Sequence, residues 1–89
     1  MPSMYIRERV QDYARWRTVF DSLSETKKQR GFVSAKVFQD SADANEIIIL
    51  ETWNSLDEAR AWAQSAEIRE AMKNAGALPP PVILFLDNA

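Results

Sequence analysis

The sequence predicts an α+β fold of the ferredoxin-like kind, with element order β-α-β-β-α-β and an antiparallel sheet carrying its helices on one face. Three observations predict it. Four segments have strand patterning and two have helical patterning, in that order along the chain. The third and fourth strands are apolar at both odd and even positions, so neither sheet face is wholly polar. A length of 89 residues accommodates one core and no second lobe, so residues 1–89 read as a single domain.

The first strand is expected over residues 3–10, where Tyr5, Ile6 and Val10 precede the polar pair Gln11 and Asp12. Asp12 is suited to cap a helix whose apolar stripe runs through Tyr13, Trp16, Val19, Phe20 and Leu23. That helix is expected to continue through the basic run Lys27, Lys28 and Arg30 and to stop at Gly31. Residues 32–39 alternate as a strand, residues 40–45 supply turn formers, and residues 46–53 resume a strand, which together predict a hairpin.

Ser55 and Glu58 have capping-box spacing, in which each side chain satisfies a backbone N–H at a helix start. The helix that follows carries Ala59, Trp62, Ala63 and Ala66, then Ile68, Met72 and Ala75, and Ser65 marks a place where it either bends or divides. Pro79, Pro80 and Pro81 forbid further helix and lead into residues 82–86, an apolar run read as a strand buried on both faces. In that strand Val82, Leu84 and Leu86 alternate with Ile83 and Phe85, as Ile48 and Leu50 alternate with Ile47 and Ile49 in the third strand. Helices on one side leave the other apolar face bare, and the economical cover is a second copy, giving a homodimer through the sheet.

Composition narrows the chemistry. The formal charge of −2 offers no cationic surface for nucleic acid or anionic lipid, and no apolar run approaches the length of a membrane span. With charges at Arg7, Glu8 and Arg9 near its start, the chain reads as soluble and cytoplasmic. Without cysteine or histidine it lacks thiolate nucleophiles, the usual soft-metal ligands and the commonest general base, so no metal site is expected. Arg30, Gly31 and Phe32 imitate the start of an RNA-recognition motif, but they lie at the second strand, where that motif does not fall.

Over almost its whole length the chain resembles the antibiotic biosynthesis monooxygenase family of dimeric α+β barrels. The resemblance is carried by Tyr13, Trp16 and Phe20 in the first helix, by the turn residue Asn45, by Glu51 and Trp53 at the end of the third strand, and by the acidic, alanine-rich helix start Asp57, Glu58 and Ala59. It implies ferredoxin-like protomers that dimerise through their sheets and enclose a cavity between sheet and helices, which in the enzymes holds a polycyclic phenol. It also implies that some members oxidise such substrates with O₂ alone, because an ionised phenol or enol can itself reduce oxygen, so that no cofactor is needed. Two departures stand out: Ile49 occupies the position, four before Trp53, where the oxygenases tend to carry an asparagine, and the haem-degrading relatives' helical histidine is missing, with Trp62 in that region.

The candidate catalytic residues are Trp53, able to stack on a planar ligand or simply to fill the core, and Glu51, a proton acceptor or an ion-pair partner of Arg7 or Arg9. The candidate ligand-binding residues are Arg7, through charge-assisted hydrogen bonds, and Trp16 and Trp62, which line a pocket or fill it. The sequence therefore reads as a cofactor-free, monooxygenase-like enzyme for a small aromatic or polyketide-like molecule. A non-catalytic dimer that binds a small ligand and a proton-transfer isomerase or cyclase are the alternatives.

Overall fold

The computed structural model describes residues 1–89. Its elements are β1 (Ser3–Val10), α1 (Tyr13–Ser22), α2 (Ser24–Lys28), β2 (Phe32–Asp40), β3 (Asp43–Trp53), α3 (Leu56–Ala63), α4 (Ala66–Asn74) and β4 (Ala77–Leu86). The strands form one antiparallel sheet in the order β2-β3-β1-β4. This is the ferredoxin-like α+β arrangement, with each expected helix divided in two. No helix is long and apolar enough to cross a membrane.

Asp12 caps α1 as expected, its Oδ1 accepting from the Ala14 N–H at 3.1 Å. The helix does not run on to Gly31. At Leu23 the backbone N–H turns to the Phe20 carbonyl three residues back, at 3.2 Å, and the Ser22 hydroxyl donates to the Val19 carbonyl at 2.6 Å. These local bonds compete with the α-helical ladder and close α1, and α2 starts at Ser24. α2 ends at Lys28, and Gly31 leads into β2 with φ at 105°, a conformation that favours glycine.

The second helical region is also two helices, each with a serine cap. The Ser65 hydroxyl accepts from the Ile68 N–H at 3.2 Å and starts α4. Ser55 accepts from the Glu58 N–H at 3.2 Å, but the reciprocal bond runs from the Ser55 hydroxyl to Glu58 Oε1 at 2.9 Å, where the sequence pattern predicted a backbone N–H. The Glu58 carboxylate is thereby held over Gly31.

The β2–β3 hairpin is tighter than expected. Asp40 pairs with Asp43, and Asp40 Oδ1 accepts from the Ala42 N–H at 2.7 Å in an Asx turn. Asn45 therefore lies within β3 instead of the turn, and its Oδ1 accepts from the Tyr13 N–H at 3.1 Å, tying β3 to the start of α1.

The fourth strand begins at Ala77 and contains the prolines that were expected to precede it. An edge strand tolerates them, because one side of its backbone has no partner to supply. Pairing with β1 jumps from Arg7↔Val82 to Arg9↔Leu78, so Pro79, Pro80 and Pro81 arch past the single residue Glu8.

Strand alternation sorts the side chains. Met4, Ile6, Glu8 and Val10 of β1 and Ile47, Ile49, Glu51 and Trp53 of β3 face the helices, and most are buried. The opposite sheet face, which includes Phe38, Leu50, Val82 and Leu84, is exposed in the single protomer; Val82 and Leu84 are each 51% exposed. The expectation that β4 is buried on both faces thus fails within one chain, whose helices cover only one side.

Gly31→Ala is expected to lower stability by about 1–3 kcal/mol in urea unfolding, because the new Cβ combines a strained backbone conformation with overlap on the Glu58 carboxylate. Adding Glu58→Ala should relieve the overlap and leave the backbone part of the loss.

Candidate functional site

Between the inner sheet face and the helices lies a cavity of about 350 Å³, walled mainly by apolar side chains including Ile6, Ile49, Trp16, Trp62, Met72 and Ile83. Its size falls within the range of small-molecule sites. The arch of β4 contributes Pro79 and Pro81 to the wall, so the prolines that loosen the β1–β4 pairing also shape the space.

Two carboxylates from neighbouring strands reach this cavity, Glu8 from β1 and Glu51 from β3. Glu51 stands opposite Met4 in the register and Glu8 opposite Ile47, so the two lie toward different ends of the same face. Both are nearly inaccessible, at 2% for Glu51 and 6% for Glu8, yet their bonding differs.

Each oxygen of Glu51 is occupied. Oε2 accepts from Lys27 Nζ at 3.0 Å, and Oε1 accepts from the Trp53 indole N–H at 3.1 Å. Lys27 is itself 2% exposed, and its ammonium lies 3.9 Å from the Phe20 ring centroid and 4.4 Å from that of Phe32. The pair is neutral as a unit and surrounded by π faces, which partly replace the water the cation has lost.

Glu8 has no cation. Its Oε1 accepts from the Trp16 indole N–H at 3.1 Å, and no ion pair includes it. Oε2 makes no bond to the protein, and no sealed side-chain oxygen or nitrogen lacks a partner, so this oxygen opens to accessible space at the cavity. Burial raises the Glu8 carboxyl from its ordinary 4.5 to about 7; the Trp16 hydrogen bond pulls it down and the negative charge of Glu51 pushes it up.

Of the residues singled out from sequence, Trp16, Trp62 and Glu51 border the cavity. Trp53 does not. It is fully buried behind Glu51, packed edge-on to Phe32 with ring centroids 5.7 Å apart, so its contact with the site runs through the hydrogen bond to Glu51. Arg7 lies on the opposite sheet face, because its odd position in β1 points away from Met4, Ile6 and Glu8, and it pairs with Glu46 at 2.9 Å. Arg9 pairs with Glu46 and Asp43, so neither arginine is the partner of Glu51; Lys27 is.

Sequence reasoning missed Glu8 and Lys27. The signal for Glu8 was available in its period-two spacing with Met4, Ile6 and Val10. Lys27 was absorbed into a basic run read as a helix stop, although it falls seven residues after Phe20 and four after Leu23, on the same inward stripe.

The buried Glu8 carboxyl makes stability depend on pH with a definite sign. The unfolded chain releases this proton near pH 4.5 and the folded chain holds it to about 7. Between those values the native state binds more protons, so stability falls as pH rises, by roughly 3 kcal/mol across the window. Glu8→Gln, which keeps an acceptor for Trp16, is expected to remove this slope in urea unfolding series run from pH 4.5 to 8; an unchanged slope would place the titration elsewhere.

The comparisons with known proteins agree with this architecture. A family model described as antibiotic biosynthesis monooxygenase matches residues 7–74. No curated protein sequence matches the chain. Among solved structures, a protein from Bordetella bronchiseptica assigned to the antibiotic biosynthesis monooxygenases superposes with a TM-score of 0.81 at 15% identity, over 99% of this chain and 96% of that one. SnoaB, a cofactor-independent oxygenase from Streptomyces nogalater, gives 0.74 at 14% identity over 99% and 94%. The ActVA-Orf6 monooxygenase of Streptomyces coelicolor, in complex with nanaomycin D, gives 0.69 at 23% identity over 99% and 87%. At these identities the superpositions speak for the fold, while the match of the family model over most of the chain carries the assignment: the protein belongs to the antibiotic biosynthesis monooxygenase family.

Proposed function

We propose that the protein is a cofactor-independent monooxygenase for a small aromatic or polyketide-like molecule and that it works as a homodimer. The observation that carries this reading is the cavity of about 350 Å³, apolar in its walls and bordered by the Trp16 and Trp62 indoles, with carboxylates reaching in. Indole and aliphatic walls favour a planar ring system, and a bound ring that displaces water from them would sharpen the charge interactions beside it. SnoaB and ActVA-Orf6, which share the fold, lend support: one is a cofactor-independent oxygenase and the other a monooxygenase that holds nanaomycin D.

The chemistry asks little of the protein beyond binding, ionising and orienting. A phenol or enol with an activated CH₂ loses a proton. The resulting anion passes an electron to O₂, the radical pair closes a C–O bond, and the peroxide anion takes up a proton. Loss of water from the hydroperoxide leaves a carbonyl, so CH₂ and O₂ become C=O and H₂O with O₂ as the only oxidant.

Homodimerisation is supported by the exposed apolar sheet face. Phe38, Val82 and Leu84 are each 51% exposed, an unusual concentration on a face the chain's own helices do not cover. A second copy packed sheet to sheet removes that surface from water and leaves the cavity, on the other side of each sheet, intact.

Oxygen-electrode assays with anthrones and polycyclic phenols are expected to show O₂ uptake matched by ketone or quinone formation. Ala63→Phe, which pushes an aromatic ring into the cavity wall, should abolish uptake while the far-ultraviolet circular dichroism is retained. Turnover without O₂ uptake would move the assignment to an isomerase or cyclase, and failure of every probe to bind would leave a dimeric interaction module. In light scattering the wild type should have twice the chain mass, and Leu84→Glu should shift it toward the monomer.

A further inference from the structure

We propose that Glu8 is the base of this cavity, taking a proton from an O–H or acidic C–H of a phenolic or enolisable substrate onto its free Oε2. The inference rests on the reading of the cavity as a substrate site and adds to it the residue that ionises the substrate.

The geometry separates Glu8 from Glu51. A base needs an unoccupied oxygen facing the reactant. Glu51 has none, with Lys27 on one oxygen and Trp53 on the other. Glu8 has one oxygen fixed by Trp16 and the other without a protein partner. The Trp16 bond orients the carboxylate while leaving its second oxygen to react.

The fold also maintains the proton affinity of Glu8. The β4 residues that arch past it are Pro79, Pro80 and Pro81, which have no N–H to donate to a carboxylate. The other charged groups bordering the cavity are Glu51 from β3, Lys27 from α2, and Arg69 and Lys73 from α4; none forms an ion pair with Glu8, and Lys27 is already neutralised by Glu51. Burial without a cation raises the carboxyl to about 7, which lets it accept and return a proton at neutral pH.

The step balances. The substrate O–H or C–H bond breaks, its electron pair stays on the substrate as a phenolate or enolate, and the proton forms a new O–H bond at Oε2. In the oxygenase sequence the same proton returns to the peroxide anion, and Glu8 is restored as the carboxylate.

The test uses 1,8-dihydroxyanthrone as the probe, in D₂O without oxygen, with exchange of its methylene protons followed by NMR and binding followed by tryptophan fluorescence. The wild type is expected to accelerate exchange over buffer, with a rate that climbs through pH 7. Glu8→Gln should bind the probe and lose at least about 100-fold of the acceleration. Trp16→Phe, which removes the bond favouring the ionised carboxylate, should move the pH limb upward. Exchange retained in Glu8→Gln, a limb unmoved in Trp16→Phe, or no exchange in the wild type each overturns the assignment, and the Trp16→Phe profile decides the matter where Glu8→Gln does not fold. Wild-type exchange without later O₂ uptake in air would sustain Glu8 as the base while rejecting the oxygenase reading, so the two fail separately.

Discussion

Taking an ammonium and a carboxylate out of water costs several kcal/mol for each ion, and the Lys27–Glu51 pair meets that cost with a 3.0 Å contact inside the core. Much of the molecule is arranged around this contact. Strand alternation in β3 places Glu51 on the buried face between Ile49 and Trp53, and Lys27 of α2, seven residues after Phe20 on the inward stripe, meets it there. Phe20 and Phe32 offer their ring faces to the cation, while Trp53 supplies the remaining hydrogen bond to the carboxylate. The pair therefore links α1, α2, β2 and β3 through named contacts, and removing either ion would leave the other buried and alone.

Glu8 lies on the same sheet face under the opposite condition. A charge that is paired can be kept ionised in the core; one held by a single indole N–H cannot be kept so cheaply, and it retains its proton to a higher pH. Two glutamates on neighbouring strands are thus divided by environment. One serves the structure because both its oxygens are committed, and the other is left with capacity to bind a proton. The arch of β4 supports this division by placing prolines, instead of amide donors, beside Glu8.

Most of the fold was legible because it depends on local periodicity. The stripe of Tyr13, Trp16 and Phe20, the alternation of β3 and the capping serines each register within a few residues of sequence. What escaped notice depends on competition or on distance. The division at Leu23 follows from a serine hydroxyl winning a carbonyl from the helix ladder, and the inclusion of the prolines in β4 follows from its place at the sheet edge, which no local pattern reveals. Of the residues read as a site, Glu51, Trp16 and Trp62 reach the cavity, whereas Arg7 does not, because its side of β1 is settled only once the burial of Met4 and Val10 fixes which parity faces inward. Applied strictly, that parity sends Arg7 outward and Glu8 inward together.

Ile49, at the position where the oxygenases of this family tend to carry an asparagine, lines the cavity without offering a donor. Under the proposed chemistry an anion formed beside Glu8 then depends on the helix side of the cavity, where Arg69 and Lys73 of α4 are the cations not already held by a carboxylate. The Trp16 and Trp53 N–H groups are committed to carboxylates, while Trp62 borders the cavity with no protein acceptor for its own. The sheet face itself brings no side-chain N–H to the cavity, so part of the stabilisation falls to the substrate, whose ring system delocalises the charge before oxygen arrives. Under that reading the site would favour extended phenols and enols, whose anions are stabilised internally, over simple alcohols and ketones, whose anions would lean on the α4 cations alone.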